Sequence, residues 1–290
     1  MKVTVFGATG VIGQALLPLL SAEHDVVGVS RGTRDSEARI RWVAADAAES
    51  TGLDEALADA EVVYYLVHSL GSTDFERKDR IAAANVAREA ARAGVAQIVY
   101  LGGLGAEGED ASRHLRSRRD TGVALASEGV PVTTLRAAMV VGKGSAAFET
   151  IVSLVDRLPV MITPSWVSTP TQPIALDDIV RYLAGVCGQE NARGEAYDAG
   201  GPEVMTYRQM IERVAVLRGR RPLIVEVPVL SPRLSSLWLR LVTPVEASVT
   251  RPLVEGLRNP TVAREERIRN LIPFDLTSFD DAARQALRAQ

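Results

Sequence analysis

Lys2-Val-Thr-Val-Phe-Gly7-Ala-Thr9-Gly10-Val11-Ile12-Gly13-Gln-Ala-Leu-Leu-Pro-Leu-Leu20 is the stretch whose reading decides the fold. Val3, Val5 and Phe6 predict a buried strand, and Val11, Ile12, Leu16, Leu19 and Leu20 follow at helical spacing. Between them Gly7, Gly10 and Gly13 form G-x-x-G-x-x-G. The first glycine permits a tight turn, the second lets backbone approach a pyrophosphate, and the third lets helix pack closely on strand. The helix start then offers free N–H groups and a positive dipole end. A glycine turn between strand and helix predicts a dinucleotide site, with Gly7, Thr9, Gly10, Val11, Ile12 and Gly13 facing the cofactor.

The next strand ends in Ser30-Arg31 and meets no acid until Asp35. In this architecture an acid here bonds the ribose 2′-hydroxyl of NAD, whereas an arginine accommodates the 2′-phosphate of NADP. Ser30 and Arg31 therefore favour NADP(H), with NAD(H) as the alternative, from the fit of a guanidinium to phosphate. The bland reading of Arg31 is a solvated loop charge. Ile40 to Asp46 reads as a third strand, and Asp46 at its end either meets the adenine or caps the next helix.

Val62 to Val67 is a buried fourth strand, and His68 lies beyond its carboxyl end, where open parallel sheets bind ligands. Phe75 to Ala93 is an alanine-rich helix ended by Gly94. Gln97 to Leu101 and Val132 to Arg136 are further strands, with a helix from Ala111 to Ser127 between them. This alternation calls for an α/β protein with a Rossmann-type doubly wound parallel sheet. Residues 1–141 are expected to form the dinucleotide-binding domain. Residues 142–290 are expected to form a small, mostly helical C-terminal substrate region with segments returning to the core. Pro159, Pro164, Pro170 and Pro173 interrupt the chain around Trp166, so an irregular stretch is expected to drape over the site. Leu234, Leu237, Trp238, Leu241 and Val242 form an apolar stripe suited to core or to a packing interface.

The chain has 290 residues, a net charge of −3 and 47% hydrophobic residues, ample for a large core. Its mild acidity gives no electrostatic reason to expect nucleic acid. Cys187 is its single cysteine, which excludes an intrachain disulfide and favours a reducing compartment. Three scattered histidines and that cysteine make no metal-site spacing. No apolar run approaches the length of a membrane span, so a cytoplasmic location is expected.

Several motifs together carry a family likeness. They are Gly7-Ala-Thr-Gly-Val-Ile-Gly13, Tyr64-Tyr-Leu-Val-His-Ser69, His114-Leu-Arg-Ser-Arg118, Val141-Gly-Lys-Gly-Ser-Ala-Ala-Phe-Glu149, Pro173-Ile-Ala-Leu-Asp177 and Ala199-Gly-Gly-Pro-Glu203. The chain resembles the atypical extended short-chain dehydrogenases, and more narrowly their NmrA-like NAD(P)H-binding branch. Within it the chain is similar to a bacterial group labelled nucleoside-diphosphate-sugar epimerase-like. The resemblance implies a Rossmann domain, a nicotinamide cofactor and a C-terminal region gathered over the nicotinamide end.

The departure from the superfamily pattern is specific. Active relatives carry a serine at the end of strand five and Tyr-x-x-x-Lys on the next helix, where the tyrosine moves a proton and the lysine lowers its pKa. Here the strand ends in Gly102-Gly103 and the helix offers His114-x-x-x-Arg118. A spacing of four puts His114 and Arg118 on one helix face. Arg118 suits ribose hydroxyls and does not deprotonate. His114 exchanges protons near neutral pH, although neighbouring arginines disfavour its cation. Two function classes stand at this stage. One is an NADPH-dependent oxidoreductase acting on an apolar carbonyl or enone, with His114 moving the proton and Arg118 holding the ribose. The other is a non-catalytic NADP(H)-binding redox sensor or accessory subunit.

Overall fold

The computed structural model describes residues 1–36, 39–69, 74–105, 111–227 and 257–288. The first half runs β1 (Lys2–Phe6), α1 (Val11–Glu23), β2 (Asp25–Ser30), β3 (Ile40–Ala44), α2 (Leu53–Leu57) and β4 (Val62–Tyr65). It continues through α3 (Phe75–Arg92), β5 (Gln97–Gly103), α4 (Arg113–Leu125) and β6 (Val132–Ala137). A late strand, Ala196–Ala199, returns to pair with β6. The resulting seven-stranded sheet has the order Ala196–Ala199, β6, β5, β4, β1, β2, β3, and every pairing is parallel. The α/β doubly wound sheet expected from the sequence is thus the fold.

The order reverses between β1 and β4, whose last paired residues are Phe6 and Tyr65. Tyr65 in turn sits opposite Tyr100 of β5. The loops leaving β1, β4 and β5 therefore gather on one edge at the reversal, where open α/β sheets form a crevice.

Both faces of the sheet are covered, so its strands read as apolar runs. Val5, Tyr64, Val99 and Leu135 pack on one face with Leu16 and Leu20 of α1 and with Ile179 and Leu183 of α6 (Leu176–Gly185). Phe6, Tyr65, Ile98 and Tyr100 pack on the other with Ala83, Val86 and Ala90 of α3. Successive residues such as Val5 and Phe6 serve opposite faces because side chains alternate along a strand.

A second apolar cluster holds the later part of the chain. Phe148, Val152 and Val155 of α5 (Ala146–Arg157) meet Met210 and Val214 of α7 (Tyr207–Leu217) and Phe279 and Ala283 of the helix Phe279–Arg288. The sequence reading missed α5, although Phe148, Ile151, Val152 and Val155 form a helical stripe. The proline-rich stretch is also more regular than expected. Val160–Pro164 pairs in parallel with Leu223–Val227, and Ser165–Ser168 is a 3₁₀ turn. Pro164 closes the first of these strands, a position where its missing N–H costs no central ladder bond.

Buried polar groups tie the two parts together. Gln97 donates to Thr133 Oγ1 at 2.8 Å and to the Val186 carbonyl at 3.0 Å, and accepts from the Gly188 N–H at 2.8 Å. Arg136 pairs with Asp198 at 2.7 Å, and Asp198 also accepts from the Arg264 N–H at 2.8 Å. The stripe Leu234–Val242 lies outside the described residues. Among the described residues no helix is long and apolar enough to cross a membrane.

Candidate active site

The glycine turn begins the site. Gly7 adopts φ +81°, and a Cβ there would stand 2.8 Å from the Leu66 backbone. A Cβ on Gly13 would lie 2.3 Å from the Gly7 carbonyl oxygen, so α1 crosses β1 closer than any side chain permits. At Gly10 an added Cβ would meet only that same oxygen, at 3.3 Å. Helix α1 starts at Gly10 with no side-chain cap and no acid in its first turn. Its leading N–H groups, at Val11, Ile12 and Gly13, have no intrahelical acceptor, a geometry that fits the pyrophosphate of a dinucleotide. Gln14 steadies the turn by donating to the Thr9 carbonyl at 2.9 Å.

At the end of β2, the Ser30 hydroxyl donates to the Gly32 carbonyl and shapes the loop that carries the exposed Arg31. Next to it Arg34 lies 5.1 Å over the Trp42 ring. Asp46 Oδ1 accepts from the N–H groups of Ala48 at 2.8 Å and Glu49 at 3.3 Å. Its carboxyl therefore caps the turn that precedes α2, while α2 itself starts from Gly52.

Between the glycine turn and the C-terminal cluster lies a cavity of about 430 Å³. Val11 and Ile12 form its end at the glycine turn, and Gly102, Gly103, His68, His114 and Arg118 form one wall. Ala146, Thr150, Ile151 and Leu154 of α5, with Trp166, Tyr207 and Ile211, form the opposite wall. The loop before α5 passes over the start of α1, and a Cβ on Gly144 would stand 2.9 Å from Val11 Cγ2. The glycines that replace the usual serine leave room beside α4: a Cβ on Gly103 would lie 3.2 Å from Leu115 and 3.9 Å from Arg118.

Arg118 is held on three sides. Its guanidinium donates to the Leu101 carbonyl and lies 5.2 Å over the Tyr100 ring, whose hydroxyl donates back to the Arg118 carbonyl at 2.8 Å. Tyr100 is thus engaged with α4 and is not a substitute for the missing tyrosine. Arg113, one turn earlier, pairs with Glu76 of α3 at 2.5 Å.

His114 and His68 meet across this wall, their ring centroids 5.1 Å apart and tilted by 37°. Burial first, then His68 and the Arg118 charge, push the His114 pKa down to about 3. Its ring is neutral across the physiological range, in line with the disfavoured cation read from the sequence. Burial likewise lowers the pKa of His68, but a hydrogen bond to Asp79 opposes the shift. His68 Nδ1 lies 2.9 Å from Asp79 Oδ2, and the Ser69 N–H donates to Asp79 Oδ1 at 2.9 Å. His68 Nε2 and His114 Nδ1 are buried without a hydrogen-bond partner among the described residues.

Asp79 is the residue that sequence reasoning passed over. It is only 2% exposed, and its signal was its place in the stripe of Ala82, Ala83 and Val86, where an acid is out of character. Tyr207 was also unflagged. It stands edge-on to Trp166 with centroids 6.2 Å apart, and the Trp166 Nε1–H is buried without an acceptor among the described residues. Among the described residues no cluster of histidine, cysteine or acid is arranged to hold a metal.

Residues 7–143 match the family model described as NAD(P)H-binding. The chain is 19% identical to the Citrobacter sp. triphenylmethane reductase complexed with NADP(H), with a TM-score of 0.78 over 99% of this chain and 100% of that one. It is also 19% identical to the Escherichia coli NADPH-dependent quinone oxidoreductase, with a TM-score of 0.77 over 98% of each chain. A curated relative, subunit 9 of the NADH dehydrogenase [ubiquinone] 1 alpha subcomplex from Arabidopsis thaliana mitochondria, is 23% identical over 78% of this chain. That match spans 60% of the relative's own length.

Proposed function

We propose that this chain, whose residues 7–143 match the NAD(P)H-binding family model, is an NADPH-dependent oxidoreductase of the atypical short-chain dehydrogenase kind. Its substrate is an apolar small molecule carrying a carbonyl or an enone. The observation that carries this reading is the single cavity that joins the bare start of α1 to an apolar wall through His68, His114 and Arg118. A simple nucleotide-holding protein has no need of a lined chamber beyond the nicotinamide end.

When bound, the reduced nicotinamide supplies a hydride. The N–H groups of Val11, Ile12 and Gly13 hold the pyrophosphate, with Gly7 and Gly10 keeping the approach open. Ser30 and Arg31 receive the 2′-phosphate, and Asp46 borders the adenine end. Arg118 holds the nicotinamide ribose, and its charge favours an oxyanion growing on the substrate. His114, being neutral, offers a ring N–H to that oxygen, since a neutral imidazole carries one donor. Trp166, Tyr207 and Ile151 enclose the apolar part of the substrate and keep water from the reacting carbon. The NADP(H) held by the triphenylmethane reductase and the NADPH-dependent quinone chemistry of the Escherichia coli oxidoreductase support the cofactor and the acceptor class.

The second reading, an accessory subunit that binds NADP(H) without turnover, is favoured by the likeness to a subunit of a larger dehydrogenase. Calorimetric titration with NADPH, NADP⁺, NADH and NAD⁺, followed by an acceptor screen with menadione and cinnamaldehyde, tests both. Binding with consumption of NADPH supports the oxidoreductase. Tight binding with no turnover on either acceptor supports the accessory role, and no nucleotide binding overturns both.

A further inference from the structure

His68 and His114 differ in what stands behind them. Each has one buried nitrogen without a partner among the described residues, and the two rings share the same cavity wall. Among the described residues, the charged or titratable groups that act on His114 are His68 and Arg118. His68 has Asp79, which lies 2.9 Å from its Nδ1 and is itself fixed by the Ser69 N–H at 2.9 Å. A carboxylate only accepts, so Nδ1 carries the ring proton and donates it. The lone pair is then left on Nε2, the atom that is buried without a partner. A buried acid that fixes the tautomer of a histidine, and stabilises the cation formed when the far nitrogen takes a proton, is the support a general base requires.

We propose that His68 is the proton-transfer residue of this site and that Asp79 is its positioning residue. This rests on the oxidoreductase reading above. In the oxidative direction, Nε2 takes the proton of the substrate hydroxyl as the carbon loses its hydride to the oxidised nicotinamide. The O–H electrons form the new carbonyl bond, and the imidazolium passes its proton to water. In the reductive direction the carbon gains the hydride, the carbonyl electron pair moves to oxygen, and imidazolium Nε2–H supplies the proton. His114 and Arg118 then act on the charge of the oxygen, and His68 on its proton. The missing tyrosine is thus replaced from the loop after β4 rather than from α4.

The tautomer is read directly by long-range ¹H–¹⁵N spectra of imidazole-labelled protein, with the three histidines assigned through His68→Gln and His114→Gln. The expected result is a protonated Nδ1 and a bare Nε2 at His68, with Nε2–H gaining population in Asp79→Asn. A protonated Nε2 at His68 in the native protein overturns the assignment. In parallel, NADPH oxidation by menadione is expected to lose about 100-fold in kcat in His68→Gln and about 10-fold in Asp79→Asn, with NADPH affinity kept within about twofold. If the native protein turns over and His68→Gln matches it, the inference fails while the oxidoreductase reading stands. If the native protein consumes no NADPH with any acceptor, that reading fails and the catalytic role of His68 with it, whereas the tautomer still reports whether Asp79 orients the ring.

Discussion

Tyr100 and Arg118 clasp each other twice. The phenol donates to the Arg118 carbonyl at 2.8 Å, and the guanidinium lies 5.2 Å over the ring while donating to the Leu101 carbonyl. This fixes α4 on the carboxyl end of β5 and sets the guanidinium in the cavity wall. Arg118→Ala removes all of the guanidinium's contacts and is expected to cost about 2 kcal/mol of stability. It is also expected to weaken NADPH and NADH by similar factors, because both share the nicotinamide ribose. Urea unfolding and calorimetry check the two effects; a loss confined to one nucleotide removes Arg118 from the ribose.

Arg31 behaves in the opposite way. It sits exposed on the loop shaped by Ser30, and the proposal gives it only the group that distinguishes the two cofactors. Arg31→Ala is expected to weaken NADPH about tenfold or more and to leave NADH nearly unchanged, as loss of one charged phosphate contact predicts. Equal losses would take Arg31 out of the phosphate site.

Gly13→Ala tests the closeness of α1 to β1. The new methyl would stand 2.3 Å from the Gly7 oxygen and 2.7 Å from Ala8 Cα, both backbone atoms that cannot turn aside. The expected cost is about 3 kcal/mol or more, with loss of nucleotide binding in whatever folds. A variant as stable as the native protein would show that the turn relaxes.

His114 makes stability depend on pH. Its folded pKa of about 3 lies below the ordinary histidine value of 6.5, so the unfolded chain binds the extra proton between those limits. Stability is therefore full above about pH 6.5 and falls as the pH drops toward 3, by about 2 kcal/mol between pH 7.5 and pH 5. His68, also depressed, adds in the same direction. In His114→Gln the slope of unfolding free energy against pH over this window is expected to flatten. An unchanged slope would place the titration elsewhere.

The proton step carries its own pH signature. Asp79 from α3 and His114 and Arg118 from α4 face the His68 ring, and the lowered pKa keeps that ring neutral at pH 7. Oxidation of an alcohol or hydroquinone needs the neutral ring and is expected to hold its rate down through neutral pH. Reduction needs the cation and is expected to speed up as the pH falls. Initial rates in both directions, compared with His68→Gln, test this; a profile unmoved by that substitution contradicts it.

Much of this was legible in one dimension. The strands of the parallel sheet, the helix that starts at Phe75 and the glycine turn followed from periodicity and from glycine spacing. Helix α5 was not legible, because its apolar stripe begins at Phe148, directly after the run of small residues from Gly144 to Ala147. The regularity around Pro164 was hidden for a different reason: its strand pairs with Leu223–Val227, far along the chain, and local rules see only the prolines. His68, His114 and Arg118 were singled out, yet their partners were not, because Asp79 looked like one more charge on a charged helix.

The sequence by itself determined the glycine turn and the order of strands and helices, since both rest on short-range sterics and on the period of apolar residues. Only the tertiary structure decided which polar groups share a cavity and how they titrate. His68, Asp79 and His114 come from a loop and two helices, and their proton affinities depend on burial and on one another. Desolvation and charge act through space, and no spacing along the chain encodes the distances that set them.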